Sequence, residues 1–233
     1  MATGKPPNIE IIEEAAASLG PLINEMVFTG GCATGLLITD PAAPPVRTTI
    51  DVDMLVEISS LASYYNLSEK LRSRGFIEDT SPEAPICRWK RKKLFLDVMP
   101  TNPNILGFGN QWYAPAFAAS KLIQLSPGTK IWILPAPYFL ATKFEAFDGR
   151  GQNDYFISRD MEDIVTVLDG RSEIVEEVKN TEKHLNSFLI KRLADLLENH
   201  DFLESLPGHL PPDSASQARA DLIVERMKNM IEL

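Results

Sequence analysis

The sequence predicts an α+β protein, a mixed β-sheet core flanked by helices and followed by a helical C-terminal region, and three observations predict it. Short β-prone runs separated by glycine, proline and asparagine turns occupy the chain as far as residue 134. From Tyr138 onward the apolar residues recur at helical spacing instead. The composition, 44% hydrophobic and 24% charged over 233 residues, supplies enough apolar side chain for a core and a smaller appendage. The change of period sets the expected boundary, a core over 1–134 and a helical domain over 135–233 that contributes to the cleft.

The elements follow in order. Ile11, Ile12, Ala15, Ala16 and Leu19 recur every three or four residues, which predicts an amphipathic helix from Asn8 that Gly20-Pro21 stops. Met26 to Thr29 is apolar and β-prone, and Gly30-Gly31 then turns the chain into the small-residue segment Cys32 to Ile38, which can start a helix. Pro41 to Pro45 predicts a loop. Ile50 to Ile58 reads as a buried strand with an acidic edge, because Asp51 and Asp53 share one face and Ile50, Val52 and Met54 the other. A helix over Leu61 to Arg74, capped by Gly75, precedes a hairpin of Ile86–Trp89 and Lys93–Met99 joined by a basic turn. In its second arm Phe95, Asp97 and Met99 share a face. Ser126-Pro127-Gly128-Thr129 joins a second hairpin. Helices are expected near 138–147, 159–169, 173–199, with a break in the last left open, and 214–231.

The formal net charge of −9 repels polyanions and excludes broad, sequence-independent nucleic-acid binding, so any such contact must be local. Cys32 and Cys87 form no CxxC pair and have no nearby histidine, which argues against a zinc site and a disulfide framework and fits a reducing cytoplasm. Met1 to Glu10 has no apolar run after a basic segment, so no secretory signal is expected. The long uncharged stretch Val98 to Ser120 carries Pro100, Pro103 and Pro115 and would make a poor bilayer helix. The expectation is a soluble cytoplasmic protein with no membrane partner.

The chemistry-bearing residues are carboxylates. Asp51 and Asp53, at i and i+2 on a strand, point the same way and can share a cation. Chance alone gives about one Asp-x-Asp in a chain of this composition, so the surroundings must supply specificity. Gly30-Gly31 follows a predicted strand, where backbone amides and a helix N-terminus can receive phosphate oxygens. Asp97 leaves another strand. The apolar flanks of all three acids imply burial, a costly placement unless cations compensate the charge. The plainer alternative is three strand-end aspartates that cap turns or pair with basic residues.

Phe28-Thr29-Gly30-Gly31, Arg47-Thr48-Thr49-Ile50-Asp51-Val52-Asp53 and Leu96-Asp97-Val98 together resemble the nucleotidyltransferase fold of DNA polymerase β type, particularly its AbiEii-like branch. Ala141-Thr142-Lys143-Phe144-Glu145-Ala146 and Asp160-Met161-Glu162-Asp163-Ile164 resemble the lysine-helix and downstream aspartate motifs of that branch. The resemblance covers about residues 25–170; Cys32 stands where many relatives carry Ser or Thr near the phosphates. It implies a magnesium- or manganese-dependent enzyme that moves an NMP from an NTP to a hydroxyl acceptor. Asp51 and Asp53 would be ligands to both metals, and Asp97 would hold the second metal and help deprotonate the acceptor. Gly30, Gly31 and Thr34 would line the triphosphate. Lys143 would reach the β- and γ-phosphates, with Asp160 at the cleft. Toxin-like relatives suggest the 3′ end of a tRNA or a protein side chain as acceptor and an antitoxin protein as partner.

Rival readings remain at this point. An exposed helix lysine is the plain account of Lys143, and first-turn dipole partners of Asp160 and Asp163; the spacing turns Asp163 to the polar face and Asp160 to its margin. Arg88, Lys90, Arg91, Lys92 and Lys93 read as a solvated hairpin tip before an RNA-phosphate contact. Histidines 184, 200 and 209 lie in the tail with no nucleophile pattern. A glycosyltransferase would not require Gly30-Gly31 or Asp97, and a haloacid dehalogenase-type phosphatase would want Thr or Val where Leu55 stands. The rival of a different class is a catalytically silent scaffold of the same fold that binds a nucleotide or a partner protein.

Overall fold

Apolar runs set most, though not all, of the strands in the first half. The computed structural model describes residues 5–232. The chain divides into two units, one made of the chain up to Gly35 with Arg47–Pro135, the other of Leu36–Val46 with the chain from Ala136. The first contains helix α1 (Pro7–Leu19), strand β1 (Met26–Thr29), most of helix α2 (Gly30–Leu37), strand β2 (Asp51–Val56), helix α3 (Leu61–Ser73), strands β3 (Ile77–Glu78), β4 (Arg88–Arg91) and β5 (Leu94–Pro100), helix α4 (Tyr113–Ala118) and strands β6 (Lys121–Ser126) and β7 (Thr129–Ile133). The strands make one mixed sheet in the order β3-β4-β5-β2-β1-β7-β6. β1 is antiparallel to β2 and parallel to β7, β2 is parallel to β5, and the remaining neighbours are antiparallel.

Side-chain alternation gives this sheet two unlike faces. On one, Val52, Met54, Trp89, Leu96 and Val98 are buried. Helices α1 and α3 cover that face: Arg91 donates to Ser18 Oγ (3.0 Å), and the Arg72 guanidinium lies over the Trp89 ring. Proline at its first position suits the start of α1. Asn8, the next residue, ties the helix to the segment that leads into the strand carrying two of the acids, donating to the Arg47 carbonyl (2.8 Å) and accepting from the Thr49 N–H (3.1 Å). The other face carries Asp51, Asp53, Arg88 and Asp97. The β4–β5 turn is two residues, with Lys92 in the left-handed region at φ 56°, and Gly128, φ 83°, takes the same role between β6 and β7.

The second unit is helical: α5 (Ala136–Arg150), α6 (Arg159–Gly170), α7 (Ile174–Lys179), α8 (Lys183–Glu198), α9 (His200–Ser205), α10 (Ser214–Gln217) and α11 (Arg219–Ile231). Side-chain caps start three of them, Ser158 for α6, Asn199 for α9 and Asp213 for α10. The span 173–199 is interrupted between α7 and α8. Leu185, Leu189, Leu193 and Leu196 form the buried stripe of α8, and α6 packs against both α5 and α11.

Where the sequence gives one boundary at 134/135, the structure assigns the proline-rich segment Leu36–Val46 to the helical unit. The Thr39 and Asp40 amides both donate to the Gly170 carbonyl at 2.9 Å. Arg171 donates to the Leu37 carbonyl (2.7 Å) and Arg219 to Asp40 (2.6 Å). These long-range hydrogen bonds have no periodic signature in the sequence. Helix α4, within a stretch the prolines mark as irregular, and the two-residue strand β3 were not predicted. No described helix is long and apolar enough to cross a membrane.

Candidate active site

Strand register gathers the acids. Asp53 on β2 lies opposite Asp97 on the parallel strand β5, Asp97 lies opposite Arg88 on β4, and Thr29 on β1 lies opposite Asp53. Directly opposed residues on neighbouring strands project from the same face. Thr29, Asp53, Asp97 and Arg88 therefore form a row across four strands, and Asp51, two residues from Asp53, stands on the same face one step along.

Arg88 closes this row electrostatically. Its Nε–H donates to Asp97 Oδ1 and its Nη2–H groups to Asp97 Oδ2 and Asp51 Oδ2, all at 2.7 Å. The guanidinium lies over the Phe95 ring, 5.6 Å from its centroid. The hydrogen bonds to Asp97 raise its pKa against the opposing pull of burial, with the charges of Asp97 and Asp51 adding to the rise. The bridge is open on one side: the side chains of Asp97 and Arg88 are 8% and 17% exposed, that of Asp51 32%. Among the described residues no three His, Cys, Asp or Glu side chains are grouped as a metal-holding set.

The expectation of a solvated basic tip does not hold for Arg88. In a β4–β5 hairpin with Lys92 and Lys93 at the turn, 88 pairs with 97 and 91 with 94, so alternation turns Arg88 and Lys90 toward the acidic face and Trp89 and Arg91 toward the helices. Lys90 reaches Asp79 at 2.9 Å. Locating that turn between two basic residues was the signal in the sequence that could have identified Arg88 as the partner of Asp97.

The glycine pair holds the opposite end of the row. Gly30, with φ 68°, begins α2, and a Cβ there would collide with the carboxylate of Asp53; one at Gly31 would collide with the guanidinium of Arg47. The absent side chains let an acid and a base from the β2 segment lie against the backbone at a helix N-terminus, where negative charge is favoured. Thr34 is fully buried and donates to the Gly30 carbonyl (3.3 Å). Cys32 is also buried, its thiol donating to the Thr29 carbonyl. Burial, reinforced by the charges of Asp97 and Asp53, pushes the Cys87 thiol up to about 12, so it stays protonated and is unsuited to nucleophilic attack.

Lys143 and Asp160 belong to the helical unit. The Lys143 ammonium is 3.0 Å from Asp160 and 2.6 Å from Asp163, with both carboxylates almost wholly buried. Arg150 adds two hydrogen bonds to Asp160, at 2.7 and 2.8 Å. Burial pulls the Asp160 carboxyl up, but Arg150 and Lys143 outweigh it, and its pKa lies below the ordinary value. The expectation that Asp163 faces the polar side of its helix is corrected: it is 0% exposed. Because α6 is enclosed by α5 and α11, a single apolar stripe does not mark its buried surface. A phosphate reaching Lys143 would have to compete with two carboxylates already in contact.

No protein-family model matches the chain, and a comparison with curated proteins returns no match.

Proposed function

We propose that the acidic row is a nucleotidyltransfer site of the polymerase β type, which moves an NMP from an NTP to a hydroxyl acceptor in the cytoplasm. The observation that carries this reading is the register: two strands bring Asp51, Asp53 and Asp97 to one face, beside a glycine turn that only a residue without Cβ can make. Three carboxylates offer the hard oxygen donors that Mg²⁺ or Mn²⁺ prefers. The Arg88 guanidinium bridging two of them supports the idea that the place favours a cation. Mg²⁺ or Mn²⁺ held by Asp51, Asp53 and Asp97 would offset the charge that builds during in-line displacement at the α-phosphorus.

The chain's own groups have separate tasks in this reading. Asp97 accepts the proton of the acceptor hydroxyl as its oxygen bonds to the α-phosphorus. The bond to the bridging oxygen breaks, and pyrophosphate leaves with that electron pair. The Gly30-Gly31 turn and the N-terminus of α2 present backbone N–H groups to the triphosphate. Thr34 contributes to the shape of that turn, since its hydroxyl is spent on the Gly30 carbonyl. Lys143 and Asp160 are left out of the chemistry and hold α5 to α6. The acceptor classes that fit are an RNA 3′ end such as that of tRNA, a protein hydroxyl or a small molecule, with an antitoxin protein as a partner if the chain acts as a toxin.

The test is incubation with each α-labelled NTP, Mg²⁺ and cell extract, followed by separation of labelled RNA, protein and small molecules. Label is expected in one class, with Asp51→Ala/Asp53→Ala reducing it at least about a thousandfold, as loss of a two-metal clamp requires. Full incorporation by that variant would refute the assignment. The second reading, a catalytically silent scaffold, is favoured by one observation, the saturation of Asp97 by Arg88. Nucleotide binding without a metal-dependent product under varied acceptors would select it.

A further inference from the structure

We propose that Arg88 is a displaceable counter-cation: it occupies the carboxylates of Asp51 and Asp97 before a divalent ion arrives, and its release sets the affinity for that ion. The inference deepens the nucleotidyltransfer reading and rests on it.

Geometry supplies the first argument. One guanidinium satisfies both oxygens of Asp97 and one of Asp51 at 2.7 Å, so a divalent ion cannot use those lone pairs while Arg88 holds them. Electrostatics supplies the second. Three acids on one sheet face repel one another, and a cation built into the neighbouring strand keeps the row folded when nothing else compensates it.

Exposure supplies the third argument. The bridge has a wet side at Asp51 and on the arginine itself, with side chains 32% and 17% exposed, so the guanidinium can leave toward solvent without opening the sheet. Guanidinium is weakly hydrated and monovalent; a compact divalent ion doubles the charge at the same oxygens. The released side chain stays tethered to β4, on the face that carries Lys90, where it can meet phosphate oxygens arriving with a nucleotide.

The experiment titrates Mn²⁺ into the full chain and follows the loss of the free-ion electron paramagnetic resonance signal, for wild type, Arg88→Gln and Asp97→Asn. Wild type is expected to bind weakly, Arg88→Gln about tenfold to a hundredfold more tightly, as removing a competing set of charged hydrogen bonds implies, and Asp97→Asn to lose binding. Unchanged or weaker binding in Arg88→Gln, alongside loss in Asp97→Asn, overturns the inference while leaving the metal site standing. Absence of binding in both wild type and Arg88→Gln overturns the nucleotidyltransfer reading and the inference together. Should Arg88→Gln fail to fold, wild type still decides. The ¹⁵N resonance of the Arg88 Nε–H, protected by Asp97, is expected to shift and lose protection as Mg²⁺ is added, and an unmoved, protected resonance overturns the inference.

Discussion

Cations that bridge two aspartates occur in both units, and two of these bridges differ in burial. In the sheet, Arg88 spans Asp51 and Asp97 with water at one edge. In the helical unit, Lys143 spans Asp160 and Asp163 with side-chain exposures of 9%, 4% and 0%. Burial raises the penalty for separating the charges, because neither partner can recover its hydration. The enclosed bridge therefore serves as architecture, and the open one can exchange its cation. The same charge pattern, one cation between two aspartates, thus has different consequences according to what covers it.

The largest test of this contrast is Lys143→Met. It leaves two carboxylates buried without their shared ammonium, and urea unfolding should show a loss of about 3–5 kcal/mol. Added divalent ion should restore little of it. Arg88→Gln should cost less, about 1–3 kcal/mol, with Mn²⁺ restoring most of the loss. Equal costs, or Mn²⁺ rescue of the lysine variant, would erase the distinction.

A pH series sharpens the comparison. The folded-state pKa of Asp160 lies below its ordinary value of 3.8 because Arg150 and Lys143 outweigh burial. The folded state therefore binds this proton less readily than the unfolded chain, and the contribution is fully present above the unfolded pKa and lost as pH falls through the folded one. Wild-type stability measured from pH 5 downward should fall more steeply than that of Asp160→Asn; parallel slopes would place the acid sensitivity elsewhere. The smallest effect expected is for Arg150→Ala. Its side chain is 71% exposed, and Lys143 still holds the Asp160 carboxylate when it is gone, so its removal should cost about 1 kcal/mol by urea unfolding.

Much of the first unit was legible in the chain. β1 and the hairpin around Ser126–Thr129 rest on short-range signals, apolar alternation bounded by Gly and Pro, and the structure shows them at nearly the expected bounds, whereas the leading arm of the first hairpin lies at Arg88–Arg91 instead of Ile86–Trp89, with its turn at Lys92-Lys93. The shared face of Asp51 and Asp53 follows from period two alone. The membership of Leu36–Val46 in the helical unit was not legible, because it depends on hydrogen bonds to Gly170 and Arg219, far along the chain. Nor was the burial of Asp163, since an amphipathic stripe identifies one packed face and α6 has more than one.

By itself the sequence determined the α+β class, the strand that presents two acids in parallel and the glycine pair ahead of it, because these depend on local periodicity and backbone freedom. Tertiary structure decided which strands became neighbours, and with that the meeting of Asp97 with Asp53 and of Arg88 with both Asp97 and Asp51. The physical reason is that register couples side chains across strands through hydrogen bonds between residues distant in the chain. A carboxylate's partner is set by that coupling, whereas its direction from the strand is set by its immediate neighbours.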